Sequence, residues 1–136
     1  MASPVDLNLR ALVVDDDETF VDHITYLMHK MGYAVERSFD GLDALKRCQS
    51  SRFDVVVCDV RMPRLSGLSF LSNLSRAVAA LPKIIMVSAL DDNSLRRQAL
   101  ASGASAYLVK PIEAQALRDA VGPPQFDSAE NRAQIS

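Results

Sequence analysis

The sequence predicts an α/β fold: a five-stranded parallel sheet with helices on both faces. Three observations lead there. Strand-like and helix-like hydrophobic patterns alternate along the whole foldable length. The central strands read as unbroken apolar runs, as strands covered on both faces do. The chain has 136 residues and 49% hydrophobic content, enough for one core and too little for two.

Ala11 to Val14 is a short apolar strand. Phe20, Ile24, Leu27, Met28 and Met31 then recur at helical spacing, and Gly32 stops that helix. Tyr33 to Phe39 alternates and reads as a second strand, nearer an edge. Asp40 caps a helix that carries Leu42, Leu45 and Cys48 inward. Phe53 to Cys58 is a buried strand. After a loop from Pro63 to Gly67, Leu68, Leu71, Leu74 and Val78 mark a third helix. Lys83 to Ser88 is another buried strand. Asp91 or Asp92 caps a fourth helix bearing Leu95, Ala99 and Leu100, closed by Gly103. Ala106 to Val109 is the fifth strand, and Pro111 precedes a fifth helix with Leu117, Ala120 and Val121.

Five such units give the flavodoxin-like (βα)5 three-layer sandwich, with strand order 2-1-3-4-5. The domain is read as residues 10–121. Residues 1–9 are an N-terminal tail, and 122–136 a polar C-terminal tail or the start of a linker, opened by Gly122-Pro123-Pro124.

The formal net charge is −2, with no long block of one sign, which argues against nucleic-acid contact by this segment. No apolar run approaches the ~20 residues that span a bilayer. Met1 to Leu9 lacks the basic-then-apolar pattern of a signal peptide. Cys48 and Cys58 fall in apolar surroundings and read as reduced core residues. These features predict a cytoplasmic protein.

The chemistry concentrates where two strands run out. The first ends in Asp15-Asp16-Asp17 and the third in Asp59. Carboxylates bunched at strand ends repel one another and are costly to desolvate. A cation between them resolves that conflict, and hard oxygen-only ligands suit Mg²⁺, with Mn²⁺ as a substitute. In open α/β sheets ligands bind beyond the carboxyl ends of the strands, between the first and third strand of this order. Pattern and site chemistry thus point to one place.

The motifs VVDDDE, CDVRMPRLSG, VSA and YLVKP, each closing a strand in that order, resemble the receiver domain of bacterial two-component response regulators. The resemblance covers roughly Arg10 to Val121. It implies that Asp59 accepts a phosphoryl group from a phosphohistidine on a partner histidine kinase or phosphotransfer protein. It implies Asp16, Asp59 and the backbone carbonyl of Arg61 as Mg²⁺ ligands, with Asp15 acting through water. Lys110 would pair with the phosphate, and its bond to Pro111 resembles one that is cis in this family. Ser88 would bond a phosphate oxygen, and the small Ala89 beside it keeps the pocket open. Tyr107 matches an aromatic that turns inward when the hydroxyl moves. The fourth helix, fifth strand and fifth helix, including Arg96, Arg97 and Gln98, would then change and be read by a downstream effector domain or protein. The resemblance implies a phosphorylation-switched signalling domain rather than an enzyme, with only self-catalysed phosphotransfer and slow autodephosphorylation. Homodimerisation stays open, because Ile112 follows Pro111 where some dimerising relatives carry an aromatic.

Other residues read more plainly. Asp17 favours the first helix N-terminus by its charge. The Arg61 side chain either neighbours the incoming group or points to solvent. His23 and His29 are six positions apart on one helix and face different ways, so they make a poor metal pair. A phosphatase of the haloacid dehalogenase type would want an acid two positions after Asp59, where Arg61 stands. A flavin or nucleotide carrier would want a hydroxyl- or glycine-rich loop after the first strand, where this chain has only acids.

Overall fold

A computed structural model describes residues 8–123. The tail readings for 1–7 and 124–136 lie outside the described residues. The elements run β1 (Arg10–Val14), α1 (Glu18–Lys30), β2 (Ala34–Ser38), α2 (Gly41–Ser50), β3 (Val55–Asp59), α3 (Gly67–Ala77), β4 (Lys83–Ser88), α4 (Asn93–Ala101), β5 (Ala106–Val109) and α5 (Ala114–Val121). The strands form one sheet in the order β2-β1-β3-β4-β5, every pair parallel. This is the flavodoxin-like arrangement expected from the alternation of patterns.

Side chains alternate across a strand, so each buried strand feeds two cores. Ala11, Val13, Val55, Val57, Ile85 and Val87 meet Val21, Ile24 and Met28 of α1 and Leu117 and Val121 of α5. Leu12, Val14, Val56, Cys58, Ile84 and Met86 meet Ala44 of α2, Phe70, Leu71 and Leu74 of α3, and Ala99 of α4. Helices α1 and α5 therefore cover one face of the sheet, and α2, α3 and α4 the other. β3 is buried at every residue. β2 is the edge strand and keeps Ala34 and Arg37 exposed.

Several residues differ from their expected places. Leu42 is exposed rather than inward, at 38%. Gly41 sets this: a Cβ there would stand 2.2 Å from the carbonyl oxygen of Leu65, so α2 lies tight on the loop before α3. Only Gly41 and Ala44 of α2 are fully covered, with Leu45 and Cys48 half-buried. Leu100 is exposed on α4, where Ala99 alone is buried. In α1 the buried stripe is Val21, Ile24 and Met28, and Phe20, Leu27 and Met31 flank it half-buried. α3 buries Phe70 with Leu71 and Leu74, leaves Leu68 half-covered, and ends before Val78. β2 is shorter than the alternating run, with Tyr33 buried before it and Phe39 exposed after it.

Caps fix the helix starts. Asp17 accepts from the amides of Thr19 and Phe20, Asp40 from Asp43, and Asp92 from Ser94 and Leu95. Asp92 therefore caps α4, and Asp91 pairs with Arg96 instead. Both cysteines are free. Burial pushes the Cys48 thiol up to about 12 and that of Cys58 well above its ordinary value, so both stay protonated core side chains. Among the described residues no helix is long and apolar enough to cross a membrane.

Candidate functional site

The parallel sheet brings the carboxyl ends of β1, β3, β4 and β5 to one rim. Asp15 follows β1, Asp59 ends β3, Ser88 ends β4 and Lys110 follows β5. Asp15 and Asp59 are buried, and Asp16 is exposed. One carboxylate oxygen from each of the three lies within 4.8 Å of the others. Lys110 Nζ donates to Asp15 Oδ2 at 2.7 Å and stands 3.9 Å from Asp59 Oδ2. The other Asp15 oxygen accepts from the Asp17 amide at 3.0 Å.

Electrostatics follow from that crowding. Burial, reinforced by the Asp15 charge, pushes the Asp59 carboxyl up to about 6. Burial also raises Asp15, against the pull of Lys110 and the Asp17 amide. Among the described residues, Lys110 is the cation beside the two desolvated acids Asp15 and Asp59, and Asp16 adds a third carboxylate to the group. A divalent cation fits this donor set, which is all oxygen and over-rich in negative charge.

The loop after β3 is held from behind. The Val60 amide donates to the Val87 carbonyl, and the Gly67 amide to the Val60 carbonyl. Gly67 passes so close that a Cβ would stand 2.2 Å from the Asp59 carbonyl oxygen and 2.7 Å from Met86 Cε. Only glycine fits there, so α3 starts directly behind the acid. The Arg61 amide favours ionised Asp59, while the Arg61 side chain is exposed. Arg64 takes a left-handed backbone, φ 67, and its guanidinium pairs with Asp40.

Ser88 is buried, and its Oγ accepts from the Leu90 amide at 3.0 Å. Ala89 is exposed beside it. Tyr107 faces inward, and its hydroxyl donates to the Leu90 carbonyl at 2.7 Å. The loop after β4 therefore connects the serine to the tyrosine. The Arg96 guanidinium lies 4.8 Å over the Tyr107 ring and donates to the Tyr107 carbonyl. The Lys110-Pro111 bond is cis. His23 and His29 are both exposed, His23 lies 3.4 Å from the Ile112 carbonyl, and neither belongs to the acidic cluster among the described residues.

Asp15, Asp16, Asp59, Ser88, Ala89 and Lys110 thus lie at one rim, and Tyr107 within β5 is tied to the loop beside it. Two neighbours escaped the sequence reading. Phe20, read as a core residue of α1, puts its ring 4.2 Å from Lys110 Nζ. Arg96, read as a surface residue, covers Tyr107. Helical spacing reports which way a residue faces but not which cation sits over its ring.

The family model for the response regulator receiver domain matches residues 11–122. The chain belongs to that family. Receiver domains are signalling domains of two-component response regulators. This one is 39% identical to response regulator MprA of Mycobacterium ulcerans over 111 residues, 82% of this chain and 47% of that protein. It is 34% identical to the alkaline phosphatase synthesis transcriptional regulatory protein PhoP of Bacillus subtilis, over 78% of this chain and 44% of that protein. The receiver domain thus spans about half the length of these relatives. A crystal structure of a Burkholderia pseudomallei response regulator, solved with a phosphorylated aspartic acid, a calcium ion and citrate, superposes with a TM-score of 0.76. Its identity is 26%, covering 95% of this chain and 74% of that one.

Proposed function

We propose that Asp59 is the phosphoacceptor of this receiver domain. The observation that carries the reading is the placement of Asp59: buried at the end of β3, grouped with Asp15 and Asp16, and 3.9 Å from the Lys110 ammonium. The donor is a phosphohistidine on a histidine kinase or phosphotransfer protein. An ionised Asp59 oxygen attacks phosphorus, the P–N bond breaks, and the imidazole leaves with that electron pair. The product on this chain is an acyl phosphate.

Asp16, Asp59 and the Arg61 carbonyl would hold Mg²⁺, or Mn²⁺ in its place, with Asp15 acting through water; the ion supplies charge neutralisation. The indirect role of Asp15 is supported by its engaged oxygens, one with Lys110 and one with the Asp17 amide. Lys110 offers an ammonium to the phosphoryl oxygens without large movement. Ser88 accepts from Leu90 through Oγ and keeps its own proton to donate. Ala89 adds no bulk over the acid.

The phosphoryl group adds about −1.5 to −2 charge and three acceptor oxygens. Drawing Ser88 and Lys110 toward them biases an existing equilibrium in the loop that also anchors Tyr107. The face formed by α4, β5 and α5, with Arg96, Arg97 and Gln98, carries the change to a downstream effector domain or protein. The domain spans residues 10–121 with tails or a linker outside it, works in the cytoplasm, and touches neither nucleic acid nor membrane through this segment. Its chemistry is confined to taking the phosphoryl group and slowly hydrolysing its own acyl phosphate. A homodimer through the same face is compatible with the reading.

Fluorine NMR with Mg²⁺ and beryllofluoride tests the site. A bound fluoride resonance in the wild type, absent in Asp59→Asn, is expected. The same resonance in Asp59→Asn would remove Asp59 from the role.

A further inference from the structure

We infer that Phe20 is a positioning residue for phosphoryl transfer: its ring face holds the Lys110 ammonium beside Asp59 without taking up any N–H bond. The inference rests on the reading of Asp59 as phosphoacceptor.

Lysine carries a compact charge on a flexible four-carbon stem, so its reach alone does not place the charge. Among the described residues, three groups meet Lys110 Nζ. Asp15 Oδ2 accepts one N–H at 2.7 Å. Asp59 Oδ2, at 3.9 Å, is too far for a hydrogen bond. The Phe20 ring centroid, at 4.2 Å, supplies the third contact. A ring face attracts a cation through its quadrupole, and strongly so where water is partly excluded. It has no lone pair to accept an N–H. An ammonium has three such protons, so those not given to Asp15 stay available for incoming phosphoryl oxygens. A carboxylate in the same place would attract more strongly but occupy a donor and deepen the negative field. The ring itself is anchored: Phe20 is half-buried and packs against the core formed by α1, β1, β3 and α5.

Phe20→Leu keeps the apolar contact and removes the quadrupole, and Phe20→Tyr keeps both. With acetyl phosphate and Mg²⁺, Phe20→Leu should slow phosphorylation at saturating donor about three- to tenfold, and Phe20→Tyr should recover most of it. In a Lys110→Ala background Phe20→Leu should have no further effect. Independently of reactivity, the Lys110 ε-methylene protons should be ring-current shifted upfield in the wild type and Phe20→Tyr, and unshifted in Phe20→Leu. A wild-type rate in Phe20→Leu, or slowing that persists fully without Lys110, would reduce Phe20 to packing and overturn the inference. Absence of the upfield shift in the wild type overturns it as well. A wild type that takes no phosphoryl group while showing the shift would instead sink the reading of Asp59.

Discussion

Lys110 and Asp15 close the rim of the sheet from opposite sides, the ammonium 2.7 Å from Oδ2 of a carboxylate with almost no solvent exposure. β5 and β1 are not neighbours in the sheet, so this bond spans β3 and β4. It also passes the acid proposed to be modified. The bond thus has two consequences: it neutralises a buried charge in the resting domain, and it stores a cation within reach of Asp59.

Lys110→Ala should separate these roles. Asp15 would lose its partner inside the fold, at a cost of about 2 kcal/mol in urea unfolding without metal. Saturating Mg²⁺ should restore much of that loss. The variant should still take up the phosphoryl group, more slowly, but the response of the α4-β5-α5 face should vanish. Phosphorylation-dependent amide shifts there equal to those of the wild type would remove Lys110 from the switch.

Stability should depend on pH with an unusual sign. The folded Asp59 carboxyl, at about 6, lies above its ordinary 3.8. The native state therefore binds more protons than the unfolded chain between these values. Without metal, this group stabilises the fold fully below about pH 4, and that contribution is lost as pH rises through about 6. The difference is worth up to ~3 kcal/mol. Asp59→Asn should raise metal-free stability at pH 7 and flatten the profile, as should saturating Mg²⁺ in the wild type. Denaturant midpoints between pH 4.5 and 7.5 check this, and a wild-type profile that rises with pH across that window contradicts it.

Asp17 stands next to the acidic pair but caps α1, bonding the amides of Thr19 and Phe20. Asp17→Ala should cost about 1 kcal/mol and lower Tm by a few degrees. Uptake of the phosphoryl group should stay close to wild type. A collapse of Mg²⁺ affinity in that variant would make Asp17 a ligand rather than a cap.

Two glycines should respond very differently to a methyl group. Gly67→Ala would press its Cβ onto the Asp59 backbone, with nothing flexible to give way. It should destabilise by about 3 kcal/mol or more and displace the acid. Gly32 has a φ of +96 but nothing within 4 Å of a Cβ, so Gly32→Ala should cost only about 1 kcal/mol. Equal unfolding midpoints for the two variants would show that the approach of α3 to Asp59 is not tight.

The sheet was legible because its strands announce themselves. Short β-branched apolar runs such as Val55 to Cys58 read as strands covered on both faces, and an acid directly after such a strand lies at the rim. Asp15, Asp16 and Asp59 came out together for that reason, whereas Ser88 and Lys110 came through the resemblance of the VSA and YLVKP motifs. Helix faces were less legible. Val21 and Phe20 are adjacent and both apolar, and only the seating of α1 on β1 and β3 decides that Val21 is buried and Phe20 meets Lys110. Leu42 was misplaced because the close approach at Gly41 depends on the Leu65 loop, distant in sequence. The Arg96 cover over Tyr107 joins α4 to β5 through side-chain geometry that no spacing encodes.

Intact mass spectrometry after incubation with acetyl phosphate and Mg²⁺, with Asp59→Asn alongside, tests the central claim most directly. The wild type should gain the mass of one phosphoryl group, carried on the peptide containing Asp59, and the variant should gain none. An unmodified wild type, or a variant that gains the same mass, would contradict the account.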